Sequence, residues 1–326
     1  MKAAITPQYG TPDVIRIESI DKPTPKANEV LIRVHAAALG AADVAFLKGD
    51  PFIIRLMYGL RRSKYAIGGT ELAGEVEAVG QGVTLFKPGD QVFGLSSNNF
   101  GAHSEYKCLP ETAPLVSKPA NLNHEETVAI CDGTSTALTF LKDVAKVRVG
   151  QKVLINGASG AVGSAAVQVA KYLGAEVTGV CSSRNVEMVR ALGADHVIDY
   201  TREDFARSGE RYDVIFDAVG KRSFSQCKRA LTAKGVYLTT VPSLGIVVQM
   251  LWTSITGGKR AKFTTAGLLQ NKASLNSVKS LVEAGHIRAV IDRRYPLEQI
   301  ADAYRYVETG RKRGNVVIMV QPQPTS

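Results

Sequence analysis

At 326 residues the chain exceeds the size at which a single hydrophobic core usually stops growing, which predicts two domains. Hydrophobic residues at 45% and charged residues at 21% are ordinary globular values and exclude a disordered or fibrous chain. The net charge of +10 favours anionic partners. Its basic groups (Arg61, Arg62 and Lys64; Lys259, Arg260 and Lys262; Arg311, Lys312 and Arg313) are short, scattered, and joined by no paired Cys/His spacing or RNP-like aromatic run, so no nucleic-acid module is expected.

From the N-terminus, MKAAITPQYG lacks the apolar core of a secretory signal and the Arg-rich amphipathic pattern of a transit peptide, and a cytoplasmic location is expected. Short strands with Gly and Pro punctuation follow: Val30 to Leu39, Glu71 to Gly80 and Asp90 to Leu95, the last preceded by a Lys87 to Asp90 turn. This part reads as antiparallel and barrel-like. Cys108, Cys131, Cys181 and Cys227 stand far apart in no CxxC grouping, so reduced, buried thiols are expected rather than a disulfide framework or a zinc lobe.

From about residue 124 helices alternate with β-branched runs, the pattern of βαβ units on a parallel sheet. Strands are expected at Lys152 to Gly157, Glu176 to Cys181, His196 to Tyr200, Asp213 to Val219 and Val236 to Val241. Residues Gly235 to Gly258 carry no charge and are long enough to cross a bilayer, but Pro242, Gln249 and the glycines make a strand, a turn and a short helix the better reading, and no membrane span is expected. After about residue 269 a helix precedes a β-like tail that returns to the first domain.

The segment with chemical content runs from Gln151 to Ser183, where a strand meets a glycine-rich turn that opens into a helix. Gly157, Gly160 and Gly163 keep a GxxGxxG spacing. Gly160 lets backbone amides approach a pyrophosphate, Gly163 permits close helix-to-strand packing, and the helix N-terminus at Ala161 and Val162 favours negative charge. Ser159 adds a hydroxyl. A purely structural turn is the competing reading, but the strand, helix and second strand all have βαβ spacing, which points to a Rossmann-type dinucleotide site. The absence of GKT or GKS argues against a nucleotide triphosphatase. At the end of the second strand, where a carboxylate would accept from the ribose hydroxyls of NAD, the chain reads Cys181, Ser182, Ser183, Arg184. Two hydroxyls and a guanidinium suit a 2′-phosphate, so NADPH is the expected cofactor.

With these motifs the chain resembles the medium-chain dehydrogenase/reductase superfamily, in its zinc-free quinone oxidoreductase-like branch. The likeness covers nearly the whole length and rests on MKAAITPQYGTPDVIRI, GTELAGEVEAVGQGVTLFKPGDQVFG, GQKVLINGASGAVGSAAVQVAKYLGA, LGADHVIDY and RYPLEQIADAYRYVETGRKRGNVVI. It implies an α/β protein: a β-rich GroES-like catalytic domain over 1–123, completed by 269–326, and a doubly wound Rossmann domain over 124–268. It places cofactor contacts on Ser159, Gly160, Ala161 and Val162, on Ser182, Ser183, Arg184 and Tyr200, on Val219, on Val241, Pro242 and Ser243, and on Thr136 and Arg313.

Zinc-bearing members carry a Cys, a His and a second Cys where this chain has Gly40, Thr70 and Asp132, so no catalytic metal is expected. Hydride transfer then relies on positioning and on donors to the developing oxyanion, for which Tyr58 and Thr70 are the candidates. The expected substrate is a small electrophile: a quinone, an enone or an aldehyde. A homodimer is expected through an edge strand over Lys262 to Leu269. A non-catalytic NADPH-binding redox sensor or interaction protein is the alternative.

Overall fold

The computed structural model describes residues 1–96, 99–264 and 270–321. It divides into two compact units, Met1–Cys131 with Gln270–Ser326, and Asp132–Leu269.

The first unit begins with β1 (Lys2–Ile5), β2 (Arg16–Ser19) and β3 (Glu29–Leu39), then α1 (Ala41–Lys48), α2 (Ile53–Tyr58), β4 (Glu71–Val79), β5 (Gln91–Leu95), β6 (Tyr106–Pro110) and β7 (Leu115–Ser117). The chain leaves it within α3 (His124–Leu138), whose start is capped reciprocally: the Glu126 amide donates to Asn123 Oδ1 at 2.8 Å and the Asn123 amide to Glu126 Oε2 at 3.0 Å. The second unit then runs β8 (Lys152–Asn156), α4 (Ala161–Tyr172), β9 (Glu176–Cys181), α5 (Val186–Ala191), β10 (His196–Asp199), β11 (Tyr212–Asp217), α6 (Phe224–Cys227), β12 (Leu231–Thr239), α7 (Leu244–Thr256) and β13 (Arg260–Lys262). The chain returns to the first unit with α8 (Lys272–Glu283), β14 (Ile291–Pro296), α9 (Ile300–Glu308) and β15 (Asn315–Met319).

The first unit is organised by β3. One of its edges pairs with β4 throughout; the other is shared, with Glu29 to Arg33 facing β6 and Ala36 to Leu39 facing β15, all antiparallel. The register against β4 jumps between Val34 and Ala36, so His35 is an extra residue on the bulged strand. Inward-facing residues accordingly change phase, from Val30, Ile32 and Val34 to Ala37 and Leu39, and all five enter the same core. Against that core α9 lays Ile300, Ala303, Tyr304 and Val307, an i, i+3, i+4, i+7 stripe in which each large side chain contributes about 1.5–3 kcal/mol by burial.

The second unit holds one parallel sheet in the order β10-β9-β8-β11-β12-β13. The chain starts in the middle at β8, runs outward to β10, and returns to the other side at β11, so the topological switch lies between β8 and β11. Central strands covered on both faces read as unbroken apolar runs, and Val153, Leu154 and Ile155 are fully buried. The uncharged stretch resolves into the end of β12, a turn, and the 13-residue α7; no helix among the described residues is long and apolar enough to cross a membrane. Cys131, Cys181 and Cys227 are buried, Cys108 is half-buried, and all four are free thiols.

The bulge turns His35 onto His124 at the start of α3, where the rings stack at 4.4 Å and the Nε2 atoms of both lack a hydrogen-bond partner. Burial, then the neighbouring His35 and Lys118, lower the His124 pKa to about 4; burial, then Arg33, lower that of His35. The native state therefore holds the stack neutral, whereas an unfolded imidazole protonates near 6.5. Stability from this pair is intact above the unfolded value and is lost as pH falls from 6.5 toward 4. We predict that His124→Phe, which keeps the stack, loses less of its thermal midpoint than the parent between neutral pH and pH about 5. Parallel melting curves for the two proteins would refute this.

Candidate functional site

Three loops at the carboxyl ends of β8, β11 and β12 form the centre of the second unit. The turn after β8 exists because two of its glycines have no side chain. A Cβ on Gly163 would stand 2.0 Å from the Gly157 carbonyl oxygen, and Gly157 itself has φ +81°. A Cβ on Gly157 would meet Val219 at 2.4 Å, and one on Gly220 would meet Val241 at 2.5 Å, so the β8 turn packs on the loop after β11, and that loop on the one after β12. Gly160 caps α4 with open space around it: a Cβ there would meet only the Gly157 oxygen, at 3.5 Å. The first-turn amides of α4, at Ala161 and Val162, have no intrahelical acceptor and lie half-buried. An anion fits this cradle without steric change.

The loop after β11 is held by a carboxylate that sequence reasoning passed over. Asp217 is fully buried and accepts from Asn156 Nδ2 at 2.9 Å and from the amides of Gly220 at 3.1 Å and Arg222 at 2.9 Å. The Val219 amide and the Tyr237 hydroxyl, each at 3.3 Å, bring the donors to five. Beside it lies a cavity of about 290 Å³ lined by Arg222, Tyr237, Thr239, Val241 and Ser243 among others. Val241 and Ser243 are thus brought together; Pro242 between them is exposed and is not part of the lining.

A second cluster forms where the glycine turn meets the end of β9. The Asn185 amide nitrogen donates to Ser159 Oγ at 2.9 Å and to Ser182 Oγ at 3.3 Å. Because both serine oxygens accept from Asn185, each hydroxyl hydrogen remains available to a further acceptor. Asn185, 4% exposed, was legible only as the residue after the Ser182 to Arg184 run. Ser183 behaves differently: its hydroxyl donates to Asp199 at the end of β10 and lies 3.2 Å from Thr201 Oγ1. The sequence placed no carboxylate at the end of β9, and that holds, but the fold brings one in from the next strand. Asp199 also accepts from the Thr201 amide and hydroxyl and lies 3.6 Å from Arg202 Nε, and these hydrogen bonds, that from Ser183 first, hold its pKa below the ordinary value. Arg184 and Tyr200 are exposed beside this cluster, Tyr200 tied by its amide to the Cys181 carbonyl. Thr136 is buried on α3 and donates to Asp132 Oδ1 at 3.4 Å, one turn from Gly133, where a Cβ would meet the Ala161 oxygen at 3.0 Å. Arg313 belongs to the first unit, where its amide donates to Asp292 at 2.8 Å.

In the first unit, Tyr58 ends α2 and lines a narrow cavity of about 30 Å³, room for one or two waters. Its ring meets Phe46 and Phe100 edge-on at 5.2 and 5.5 Å. Asp43 and Tyr304 complete the lining from below. The buried Asp43 carboxylate accepts the Gly40 amide at 2.8 Å and so fixes the start of α1. Buried His103 sits between them, its Nε2 3.3 Å from the Ala38 carbonyl and its Nδ1 3.5 Å from the Tyr304 hydroxyl. Burial raises the pKa of Asp43 and lowers that of His103, against the attraction between them. Thr70 stands just before β4, where its carbonyl accepts the Ser96 amide at 2.6 Å, and it does not line this cavity.

A catalytic zinc does not fit the donors present. Gly40 offers no ligand, Asp132 already accepts from Thr136, and among the described residues no three His, Cys, Asp or Glu side chains converge.

A parallel sheet with a glycine-rich helix N-terminus at its switch point, in a chain that also carries a β-rich unit with an aromatic cavity, fits a nicotinamide-dependent oxidoreductase. Comparison with known proteins agrees. Residues 26–120 match the alcohol dehydrogenase GroES-like domain and residues 192–318 the zinc-binding dehydrogenase family. The chloroplast envelope quinone oxidoreductase homolog of Arabidopsis thaliana is 32% identical over 91% of each chain. The NADPH-dependent alkenal/one oxidoreductase of the same plant is 30% identical over 99% of this chain and 80% of its own. The solved quinone oxidoreductase from Coxiella burnetii superposes with a TM-score of 0.88 at 28% identity, covering 98% of this chain and 99% of that one. The chain belongs to the medium-chain dehydrogenase/reductase superfamily, in its quinone oxidoreductase-like branch.

The bridging role of Asn185 is open to direct measurement. Loss of one buried hydrogen-bond donor is worth about 1 kcal/mol, so Asn185→Ala is expected to weaken dinucleotide binding roughly fivefold, and Asn185→Asp considerably more by adding charge beside the phosphate donors. Calorimetric titration with NADPH reads both. An Asn185→Asp variant binding as tightly as the parent would show that the two serines are oriented without it.

Proposed function

We propose that the protein is a zinc-independent, NADPH-dependent reductase acting on quinones, enones or aldehydes, and that it works as a homodimer. The observation that carries the cofactor reading is the Ser159–Asn185–Ser182 bridge, which leaves two hydroxyl hydrogens available near Arg184 at the end of β9. The names of the relatives, a quinone oxidoreductase homolog and an NADPH-dependent alkenal/one oxidoreductase, support the substrate class.

When bound, the reduced nicotinamide supplies a hydride. The residues around it have separable tasks. Gly160, Ala161 and Val162 hold the pyrophosphate on the α4 amides. Ser182 and Arg184, with Tyr200, bind the 2′-phosphate, while Ser183, whose hydroxyl is engaged by Asp199, holds that loop to β10. Val219, Val241, Pro242 and Ser243 shape the nicotinamide side, and Thr136 and Arg313 remain further candidate contacts. Residues 1–123 with 269–326 carry the substrate side, where Tyr58, at the small aromatic cavity, offers the donor to the developing oxyanion, and 124–268 carry the cofactor. Thr70 ranks second because it lies off the cavity.

The dimer reading rests on the second unit. Among the described residues β13 is the last strand of its sheet, and its outer side is covered in part by α7, where Thr253 Oγ1 accepts the Ala261 amide at 3.1 Å. Beside it α7 exposes an uncharged apolar face of Leu244, Val248, Leu251, Trp252 and Ile255. Of the expected edge segment, residues 265–269 lie outside the described residues.

A desolvated guanidinium–phosphate hydrogen bond is worth about 1.5–3 kcal/mol, so Arg184→Ala is expected to weaken NADPH roughly 10- to 150-fold and leave NADH nearly unchanged. Equal losses for the two cofactors would remove Arg184 as the phosphate reader. Turnover is checked by NADPH consumption against a panel of quinones, enones and aldehydes in a strong chelator; tightly bound zinc required for activity, or no consumption with any of them, would overturn the reading. Light scattering is expected to give twice the chain mass for the parent and a lower mass for Trp252→Glu.

A further inference from the structure

Two apolar helix faces are exposed among the described residues, and their charge surroundings differ. The α7 face lies in a stretch, Gly235 to Gly258, without a charged residue. The α2 face is the opposite case. Between Pro51 and Thr70 the chain holds four cations and no acid. Phe52, Ile53, Leu56, Met57 and Leu60 are all more than half exposed, Phe52 and Met57 at 62%. Arg61, Arg62 and Lys64, immediately beyond them, are exposed too. The fourth cation, Arg55, is turned inward, donating to the Gly49 and Lys48 carbonyls at 3.1 Å each.

We infer that α2 and its flanks dock on an anionic lipid bilayer, with Leu56, Met57 and Leu60 among the acyl chains and Arg61, Arg62 and Lys64 at the headgroups. An apolar surface with a one-signed basic margin matches the order of a bilayer interface, hydrocarbon first and phosphate next. It does not match a second copy of the chain, because an isologous contact sets a patch against itself and would bring Arg61 and Arg62 toward their own equivalents. The helix has two sides with two tasks: Ile54 and Tyr58, four residues apart, line the cavity of the first unit, while Ile53, Leu56, Met57 and Leu60 face outward. Docking therefore sets one wall of that cavity against the bilayer and favours electrophiles dissolved in lipid. This last clause rests on the cavity being the substrate site; the docking itself does not.

The test is flotation of the full-length protein with vesicles of phosphatidylcholine alone and of phosphatidylcholine mixed with phosphatidylserine. Binding is expected to the mixed vesicles only and to weaken with salt. Arg61→Gln with Arg62→Gln should reduce partition roughly 30-fold, the effect of two cations near an anionic surface, whereas Arg61→Lys with Arg62→Lys should retain it. Leu56→Ser with Met57→Ser should also lose it, and Leu251→Ser with Trp252→Ser, on α7, should not. Circular dichroism confirms that each variant is folded, and NADPH consumption with a water-soluble quinone is measured on the same preparations. No binding to mixed vesicles, equal binding to neutral ones, loss that follows α7 instead of α2, or a mass that halves in the α2 variants would each overturn the inference. Docking without turnover would leave it standing and refute the proposed activity instead.

Discussion

Everything at the dinucleotide site depends on one close approach, that of Gly163 to the carbonyl oxygen of Gly157. A side chain at 163 would overlap that oxygen at 2.0 Å, so only glycine lets α4 begin directly above the end of β8. From that position the free amides of α4 point at the switch between β8 and β11. The neighbouring glycines extend the same logic sideways: Gly157 admits Val219, and Gly220 admits Val241. Three loops become one surface because backbone, rather than side chains, occupies the space between them. Asp217 then fixes the middle loop by accepting from five groups, one of which, Asn156, comes from β8 itself.

The first unit is governed by a different constraint, the change of phase along β3. A strand of 11 residues with strict alternation would keep one face inward from end to end. The bulge at His35 lets Val30 to Val34 face the core on even positions and Ala37 and Leu39 on odd ones, while the shared edge passes from β6 to β15. The residue expelled by the bulge finds a partner in His124, and α3 starts on that stack. His35 and His124 are thus stacked histidines whose charge is suppressed first of all by burial.

What was legible in the sequence follows the range of the interaction. The parallel sheet, its strand boundaries to within a few residues, and the glycine turn are encoded locally, in period, β-branched runs and spacing, and each was read correctly from them. The 235–258 stretch was also legible, because Pro242 and the glycines interrupt it. Contacts between distant segments were not. Nothing adjacent to Ser183 announces that Asp199 will accept its hydroxyl, since the two meet only when β10 pairs with β9. Asn185 bridges Ser159 and Ser182 across 26 and 3 residues, and only the shorter separation is visible in the chain. Asp217 lies inside the strand expected over Asp213 to Val219; its burial and its five donors belong to the fold. The exposed α2 face was likewise hidden, because PFIIRLMYGL reads as core until the structure shows which side is covered.

The proposed absence of a metal constrains the chemistry as much as the cofactor does. Zinc stabilises the oxyanion produced by hydride addition to a carbonyl directly. A site with Gly40, Thr70 and Asp132 in the ligand positions must rely on hydrogen bonds, and these suffice more readily when the anion is intrinsically stable. Addition to a quinone yields a phenolate-type anion, whose conjugate acid lies near the tyrosine value of about 10, and addition to an enone yields a delocalised enolate. Addition to an isolated carbonyl yields an alkoxide closer to hydroxide, whose parent water lies near 15.7. The difference, roughly 6 units for the quinone, corresponds to about 8 kcal/mol of stabilisation that the substrate brings and the protein need not supply. If the proposed metal-free reading holds, conjugated acceptors are therefore better suited to this protein than simple aldehydes.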